Sequence, residues 1–236
     1  VSESTNVFKP IKGYYVILTY PRSGGTLLQR IIDADPNVTM RGDNISAVKS
    51  IVEAYRSLKQ AKEVLPPIFD SDPTWSGSPF YGSHLYRMEY LRISLARSIV
   101  DGILVPEAGS SHVGFRDNWF DPTVAKPHVV EDLLTNLEEL LPGVTFLINV
   151  RDPEETSRSA IWNNDPGSKA KIQQWREWLL HLHNDKIVQR SHLLDYDKYK
   201  DDPAYLTSVL ASAGIHVKPL VVASLMTERL THLQNF

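Results

Sequence analysis

Apolar residues in this chain fall into two patterns, short unbroken runs and longer stretches in which they recur every three or four positions. Tyr14 to Tyr20 and Val144 to Val150 are unbroken and rich in β-branched or aromatic residues, as expected for strands covered on both faces of a parallel sheet. Val113 to Phe115 predicts a short strand, and Ser191 to Leu194 a last one that ends at Asp195. Helical spacing marks Leu27, Leu28, Ile31 and Ile32, then Ile45, Val48, Val52, Tyr55 and Leu58, with the second helix ending before Pro66-Pro67. Further helices are predicted over Tyr86 to Val100, through Val129, Leu133, Leu137, Leu140 and Leu141 up to Pro142-Gly143, along the Ile172, Trp175, Leu179 and Leu182 face, and over Tyr205 to Ala213. Strands and helices in alternation predict an α/β fold with a central, mostly parallel sheet flanked by helices. No repeat, linker or low-complexity tract divides the chain, so residues 1–236 read as a single domain.

One stretch fits neither pattern. Residues 66–83 are rich in Pro, Gly, Ser and Asp, with Phe69, Trp75, Phe80 and Tyr81 interleaved. A connection of this length is uncommon unless it is functional or disordered. It reads as a lid or an acceptor-binding wall, or else as an irregular surface loop with tucked aromatics.

The chemistry concentrates where the first strand breaks into Pro21-Arg22-Ser23-Gly24-Gly25-Thr26 and continues into a helix. Strand, small-residue turn and helix N-terminus together form a cradle of backbone N–H groups for a phosphate or sulfate. Gly24 and Gly25 allow close approach, Arg22 adds a fork of charged donors, and Ser23 and Thr26 offer hydroxyls. The nucleotide-kinase pattern G-x-x-x-x-G-K-[ST] is absent, because Gly25 stands where that pattern has its Lys. Downstream, the Val144 run ends at Arg151, and Asp152, Pro153 and Glu155 form a helix start, which predicts that Ser159 lies about two turns into that helix.

PRSGGT with its preceding strand and following leucines resembles the 5′-phosphosulfate loop of the sulfotransferases, P-[RK]-S-G-[ST]-T, with Gly25 in place of Ser or Thr. Arg151 and Ser159 match the spacing at which that family binds the 3′-phosphate of its donor. MRGDN (Met40 to Asn44) and HVGFRDNWF (His112 to Phe120) are similar to the R-G-E-N and G-F-K-E segments of a bacterial branch, with Asp43 for Glu, Arg116 for Lys and Asp117 for Glu. Pro79 to Gly82 and Leu194 to Asp197 are weaker echoes. The resemblance implies a P-loop-type sulfotransferase fold and 3′-phosphoadenosine 5′-phosphosulfate (PAPS) as donor. It further implies in-line transfer of a sulfuryl group to a hydroxyl or amine of a small-molecule, glycan or lipid acceptor, with no metal. By the same resemblance, Arg22, Ser23, Gly24, Gly25, Thr26 and Leu27 bind the donor, together with Arg151 and Ser159. Arg22 also stabilises the leaving phosphate. Asp43 is the first candidate for general base, with Asp117 as the alternative and Arg116 as the lysine-like helper. A turn residue bonding its own backbone is the other reading of Asp43. A P-loop kinase acting on a small molecule and a non-catalytic nucleotide-binding module are the alternatives.

Composition narrows the surroundings. With 42% hydrophobic residues among 236, the chain can bury one substantial core. A formal charge of −3 gives no sign of a nucleic-acid partner. The chain has no cysteine, which excludes disulfides and thiolate metal sites. The eight histidines form no H-x-x-x-H or H-E-x-x-H pattern, and no G-x-S-x-G elbow suggests a hydrolase. No apolar run approaches the roughly 20 residues of a membrane span, and no signal-like segment is seen, so the expected location is the bacterial cytoplasm. Trp75 to Tyr81 and Trp119 would suit a sugar, a phenol or a lipid equally, and His232 lies where the family often closes over its nucleotide.

Overall fold

Five short strands lie side by side in a single parallel sheet: β1 (Gly13–Leu18), β2 (Val38–Arg41), β3 (His112–Asp117), β4 (Thr145–Val150) and β5 (Ser191–Asp195). The computed structural model describes residues 11–228 apart from 119, 124, 160, 163 and 164; Trp119 and His232 therefore lie outside the described residues. The strand order is β2-β3-β1-β4-β5. β1 is central, and Val16 sits opposite Phe115 on one side and Phe146 on the other. All six of its residues are buried, which accounts for the unbroken apolar run.

Alternation along the strands sorts the core into two layers. Val16, Leu18, Phe115, Phe146 and Ile148 face one cluster, which takes in Val52 of α2 (Ala47–Lys59), Leu133 and Leu137 of α5 (Pro127–Leu140) and Trp175 and Leu179 of α7 (Ser168–Asn184). Tyr15, Ile17 and Leu147 face the other, with Leu28, Ile31 and Ile32 of α1 (Gly25–Asp33), Leu206 and Leu210 of α9 (Pro203–Ser212) and Val222 of α10 (Pro219–Thr227). Helices cover both faces, as the alternating pattern predicts. Among the described residues no helix is long and apolar enough to cross a membrane.

The strand order fixes where a ligand can bind. The chain leaves β1 toward β2 on one side and leaves β4 toward β5 on the other, although β1 and β4 are hydrogen-bonded neighbours. Such a reversal opens a crevice at the carboxyl ends of the two strands. Arg22 follows β1 and Arg151 follows β4, so the two segments singled out in the sequence border one crevice.

Several boundaries differ from the sequence reading. β2 and α10 were not anticipated. α2 ends at Lys59, ahead of the proline pair as expected, but the chain stays helical beyond it, through a π-helical turn at Gln60–Val64 and into α3 (Leu65–Ile68). Pro66 and Pro67 sit in the first turn of α3, where a missing N–H costs nothing. Helix α4 (Met88–Arg97) starts later than Tyr86 and passes into a second π-helical stretch, Ser98–Leu104. Asp152 caps α6 (Pro153–Ser157) by accepting from the Glu155 N–H at 3.0 Å, as its sequence predicts. That helix is only five residues long, however, so Ser159 lies beyond its end rather than two turns inside. Thr156 Oγ1 and Ser157 Oγ donate back to the carbonyls of Asp152 and Glu154, bonds of a kind that slightly destabilises helices.

Burial of tyrosines sets an alkaline limit on stability. Desolvation pushes Tyr20 up to about 12 from 10.0, an effect its hydrogen bond with the Arg151 backbone only partly offsets. Tyr199 is raised well above 10.0 by complete burial. The raised values mean that the unfolded chain loses these protons first, so stability is intact below about pH 10 and falls between about pH 10 and 12. Denaturant midpoints measured across that window should fall steeply; a flat profile would contradict the burial of these phenols.

Candidate active site

The turn after β1 is tied down from inside the protein. Ser23 is fully buried and its Oγ donates to the Tyr20 carbonyl at 2.7 Å, with the Thr19 hydroxyl hydrogen-bonded to it. Ser23 therefore braces the loop rather than offering its hydroxyl outward. Gly24 caps α1 at φ 90, a left-handed conformation that suits glycine, and a Cβ there would lie 2.3 Å from the Tyr196 ring. No side chain caps α1, which leaves the first-turn N–H groups of Gly25, Thr26 and Leu27 without an intrahelical acceptor. The Thr26 hydroxyl forms no hydrogen bond among the described residues. Arg22 holds φ 72, a conformation that costs a non-glycine residue free energy, and its guanidinium makes no ion pair among the described residues.

Across the crevice, Arg151 is locked to the same loop. Its backbone N–H donates to Tyr20 Oη at 2.7 Å, while that hydroxyl donates to the Arg151 carbonyl. Arg151 Nη1 donates to the Arg22 carbonyl at 3.1 Å, and its guanidinium lies 4.7 Å from the centroid of the Tyr196 ring. Arg151 Nε is buried and has no hydrogen-bond partner among the described residues. The neighbouring acids do not claim it: Glu154 pairs with Arg158 and Lys169, and Glu155 pairs with Arg158. Ser159 stands in the turn after α6, where its Oγ donates to the Thr156 carbonyl at 2.8 Å. To donate to an anion, that hydroxyl must first rotate away.

The β3 side brings three further candidates together. Arg116 Nη2 lies 4.0 Å from Asp43 Oδ2, both side chains being largely sheltered, and Arg116 Nε is buried with no hydrogen-bond partner among the described residues. Arg116 also lies against the loop, since a Cβ added at Gly25 would be 3.1 Å from its Cδ and 2.9 Å from the Thr19 methyl. Asp43 Oδ1 accepts from the Ile45 N–H at 3.0 Å, so the turn role and the proximity to Arg116 coexist in one carboxylate. Ile45 and Ser46 follow at φ 50 and φ 66, a strained pair that closes this turn. Asp117 stands apart from this arrangement. It is buried at the end of β3 and accepts from the Phe120 N–H at 3.2 Å. Among the described residues there is no group of three His, Asp or Glu side chains arranged to hold a metal.

The structure also singles out residues that sequence reasoning passed over. Asn149, fully buried in β4, donates through Nδ2 to the Ser23 carbonyl at 2.9 Å and accepts from Tyr199 Oη at 2.9 Å through Oδ1. Tyr199 belongs to α8 (Tyr196–Tyr199), and its ring meets that of Tyr196 edge to face at 5.3 Å. A polar Asn inside the otherwise apolar Phe146 to Val150 run was the available signal. Tyr196 touches both Gly24 and Arg151 and so links the two halves of the crevice.

No protein-family model matches the sequence, and no curated protein matches it. Solved structures do match in fold. The sulfotransferase domain of the Synechococcus PCC 7002 olefin synthase aligns with a TM-score of 0.52 over 96% of this chain and 84% of its own, at 15% identity. A sulfotransferase domain from the curacin biosynthetic pathway aligns with a TM-score of 0.50 over 88% of this chain and 75% of its own, also at 15% identity. The chain therefore has a sulfotransferase-like α/β fold.

The buried amide is the testable part of this arrangement. Asn149→Leu strands the Ser23 carbonyl and the Tyr199 hydroxyl in the core and should cost about 2–4 kcal/mol in urea denaturation. Tyr199→Phe should cost about 1–2 kcal/mol, and the double substitution less than the sum, because both remove the same bond. Strict additivity would show that Asn149 and Tyr199 act independently.

Proposed function

We propose that the chain is a sulfotransferase that takes a sulfuryl group from PAPS to a hydroxyl or amine of a small-molecule, glycan or lipid acceptor. One observation carries the reading. Arg116 and Arg151, on opposite sides of an uncapped helix N-terminus, each keep a buried Nε without a partner, and no carboxylate forms an ion pair with Arg151 or Arg22 among the described residues. Positive charge and oriented donors left unsatisfied in this way suit a ligand with an anion at each end. Gly24 and Gly25 keep the loop face bare, so the residues present fit the donor.

Arg22 and the N–H groups of Gly25, Thr26 and Leu27 would hold the 5′ end, and Arg151 the 3′-phosphate, joined by Ser159 once its hydroxyl turns outward. When bound, the donor supplies an activated sulfuryl group on a phosphate leaving group. The chain contributes position and charge, the two effects that dominate group transfers of this kind. Arg22 and the loop N–H groups would stabilise the negative charge that accumulates on the leaving phosphate. Asp43 Oδ2, beside Arg116, would take the proton from the acceptor. Asp117, buried and engaged with the Phe120 N–H, is the less accessible carboxylate of the two.

Calorimetry with 3′-phosphoadenosine 5′-phosphate beside ATP tests the donor site. The 3′-phosphorylated nucleotide should bind selectively, and Arg151→Ala should weaken it by at least about tenfold, the equivalent of one charged contact. A preference for ATP would point to a kinase instead, and loss of all nucleotide binding would remove the reading. Asp43→Asn should leave that affinity unchanged and slow transfer by about 10²–10⁴-fold, the usual worth of a general base. Binding with unimpaired transfer in this variant would take the base role away from Asp43.

A further inference from the structure

Between α3 and α4 the chain builds a pocket that shares no residue with the crevice described above. It is an open groove of about 580 Å³ lined by Phe69, Asp70, Ser71, Asp72, Trp75 and Pro79. That volume is in the range of small-molecule sites. We propose that this pocket binds an organic cation, an ammonium group carrying methyl or methylene substituents.

The pocket is constructed rather than incidental. Ser71 and Ser78 hydrogen-bond through their hydroxyls at 2.6 Å, the Gly82 N–H donates to the Pro73 carbonyl at 2.9 Å, and the Ser71 N–H donates to the Pro66 carbonyl at 2.9 Å. Phe80 braces Phe69 with ring centroids 5.8 Å apart. Trp75 lies across Gly77 so closely that a Cβ there would come within 2.5 Å of its ring. These ties hold Phe69 and Trp75 in place while each remains 64% exposed. Exposing two large aromatic faces in a fixed arrangement serves no packing purpose, and clustered exposed apolar surface marks binding sites.

Charge selects the ligand. From Pro66 to Tyr86 there is no Lys or Arg, and the formal charges are Asp70 and Asp72, with His84 the one basic side chain. Neither aspartate forms an ion pair among the described residues. Asp72 accepts at Oδ1 from both the N–H and the hydroxyl of Thr74 at 2.8 Å, which holds its carboxyl below the usual range and keeps it ionised. Asp70 is held at φ 45 on the pocket lining. Aromatic faces attract a cation through their quadrupole, and carboxylates attract it by charge. A neutral apolar ligand would gain the first contact but desolvate the carboxylates without compensation, and an anion would be repelled. An alkylated ammonium satisfies both kinds of wall. This inference is independent of the transfer reaction and stands or falls on its own.

Choline and its neutral isostere dimethylbutanol are the probes, read by the indole N–H resonance of Trp75 in the full chain, assigned with Trp75→Phe. Choline should shift that resonance saturably at millimolar concentration, and the isostere should bind at least about tenfold more weakly. The double variant Asp70→Asn/Asp72→Asn, altered only at exposed positions, should keep its fold and lose about tenfold in choline affinity. No shift with choline would overturn the inference. Equal affinity for the two probes, or an unchanged affinity in the double variant, would reduce the pocket to an apolar groove and overturn it as well.

Discussion

The site depends on one hydrogen bond made beneath it, from the buried Asn149 amide to the carbonyl of Ser23. A loop that presents its N–H groups to an anion must turn its carbonyls elsewhere, and those carbonyls need donors where water does not reach. Asn149 supplies the donor at Ser23, Trp162 Nε1 supplies one to Pro21 at 3.2 Å, and Arg151 supplies one to Arg22 at 3.1 Å. Each donor comes from β4 or from the segment after it, while the loop itself follows β1. The hydrogen-bonded pairing of β1 with β4 thus sets the loop's shape as well as its position. Tyr199 in turn orients the Asn149 amide, which brings the segment after β5 into the same support.

This support holds the arginines in a condition that folding alone would not select. A buried guanidinium nitrogen without an acceptor is unfavourable, and among the described residues Arg116, Arg151 and Arg176 each carry one, the first two beside the loop. Collapse of Arg151 onto a nearby acid would relieve it, and Glu154 and Glu155 are only three and four residues away. Both are instead engaged by Arg158 at helical spacing, with Lys169 taking the second oxygen of Glu154. Such exposed pairs contribute little to stability. Their consequence here is local: they keep negative charge off Arg151, which Tyr196 steadies from its ring face. Arg22 at φ 72 adds backbone strain at the same place. Strain and unsatisfied donors are thus concentrated in one crevice.

The framework was legible where one physical signal acted alone. β1 and β4 are covered on both faces, so their apolar runs are continuous, and the Asp152 cap could be read from residue types in order. Legibility failed where signals competed. β2 has four residues and ends in Arg41, whose guanidinium donates to the carbonyls of Leu104 and Val105, so charge masks a strand. In α10 nearly every position is apolar, so no helical stripe emerges. The proline pair reads as a stop, and α2 does end before it, but both prolines also sit in the first turn of a further short helix. Within the site, the arginines and Asp43 were visible as residue types in a known spacing. The inward turn of Ser23 and the position of Ser159 past its helix were not, since both arise from tertiary hydrogen bonds.

The positions that depart from the sulfotransferase pattern are informative as a set. Gly25, Asp43, Arg116 and Asp117 stand where that pattern has Ser or Thr, Glu, Lys and Glu, and three of the four meet in space. Arg116 runs past Gly25, where any Cβ would press on its Cδ, and reaches toward Asp43 at 4.0 Å. A guanidinium is bulkier and more rigidly directed than an ammonium, and it needs room along its stem and at its fork. Absence of a side chain at Gly25 supplies the first. A carboxylate shorter by one C–C bond, roughly 1.5 Å, supplies the second. Taken together they are mutually compensating: the smaller loop residue and the shorter acid accommodate one larger cation between them. The three residues therefore fit one another in space, a guanidinium lying between a bare loop position and a short carboxylate.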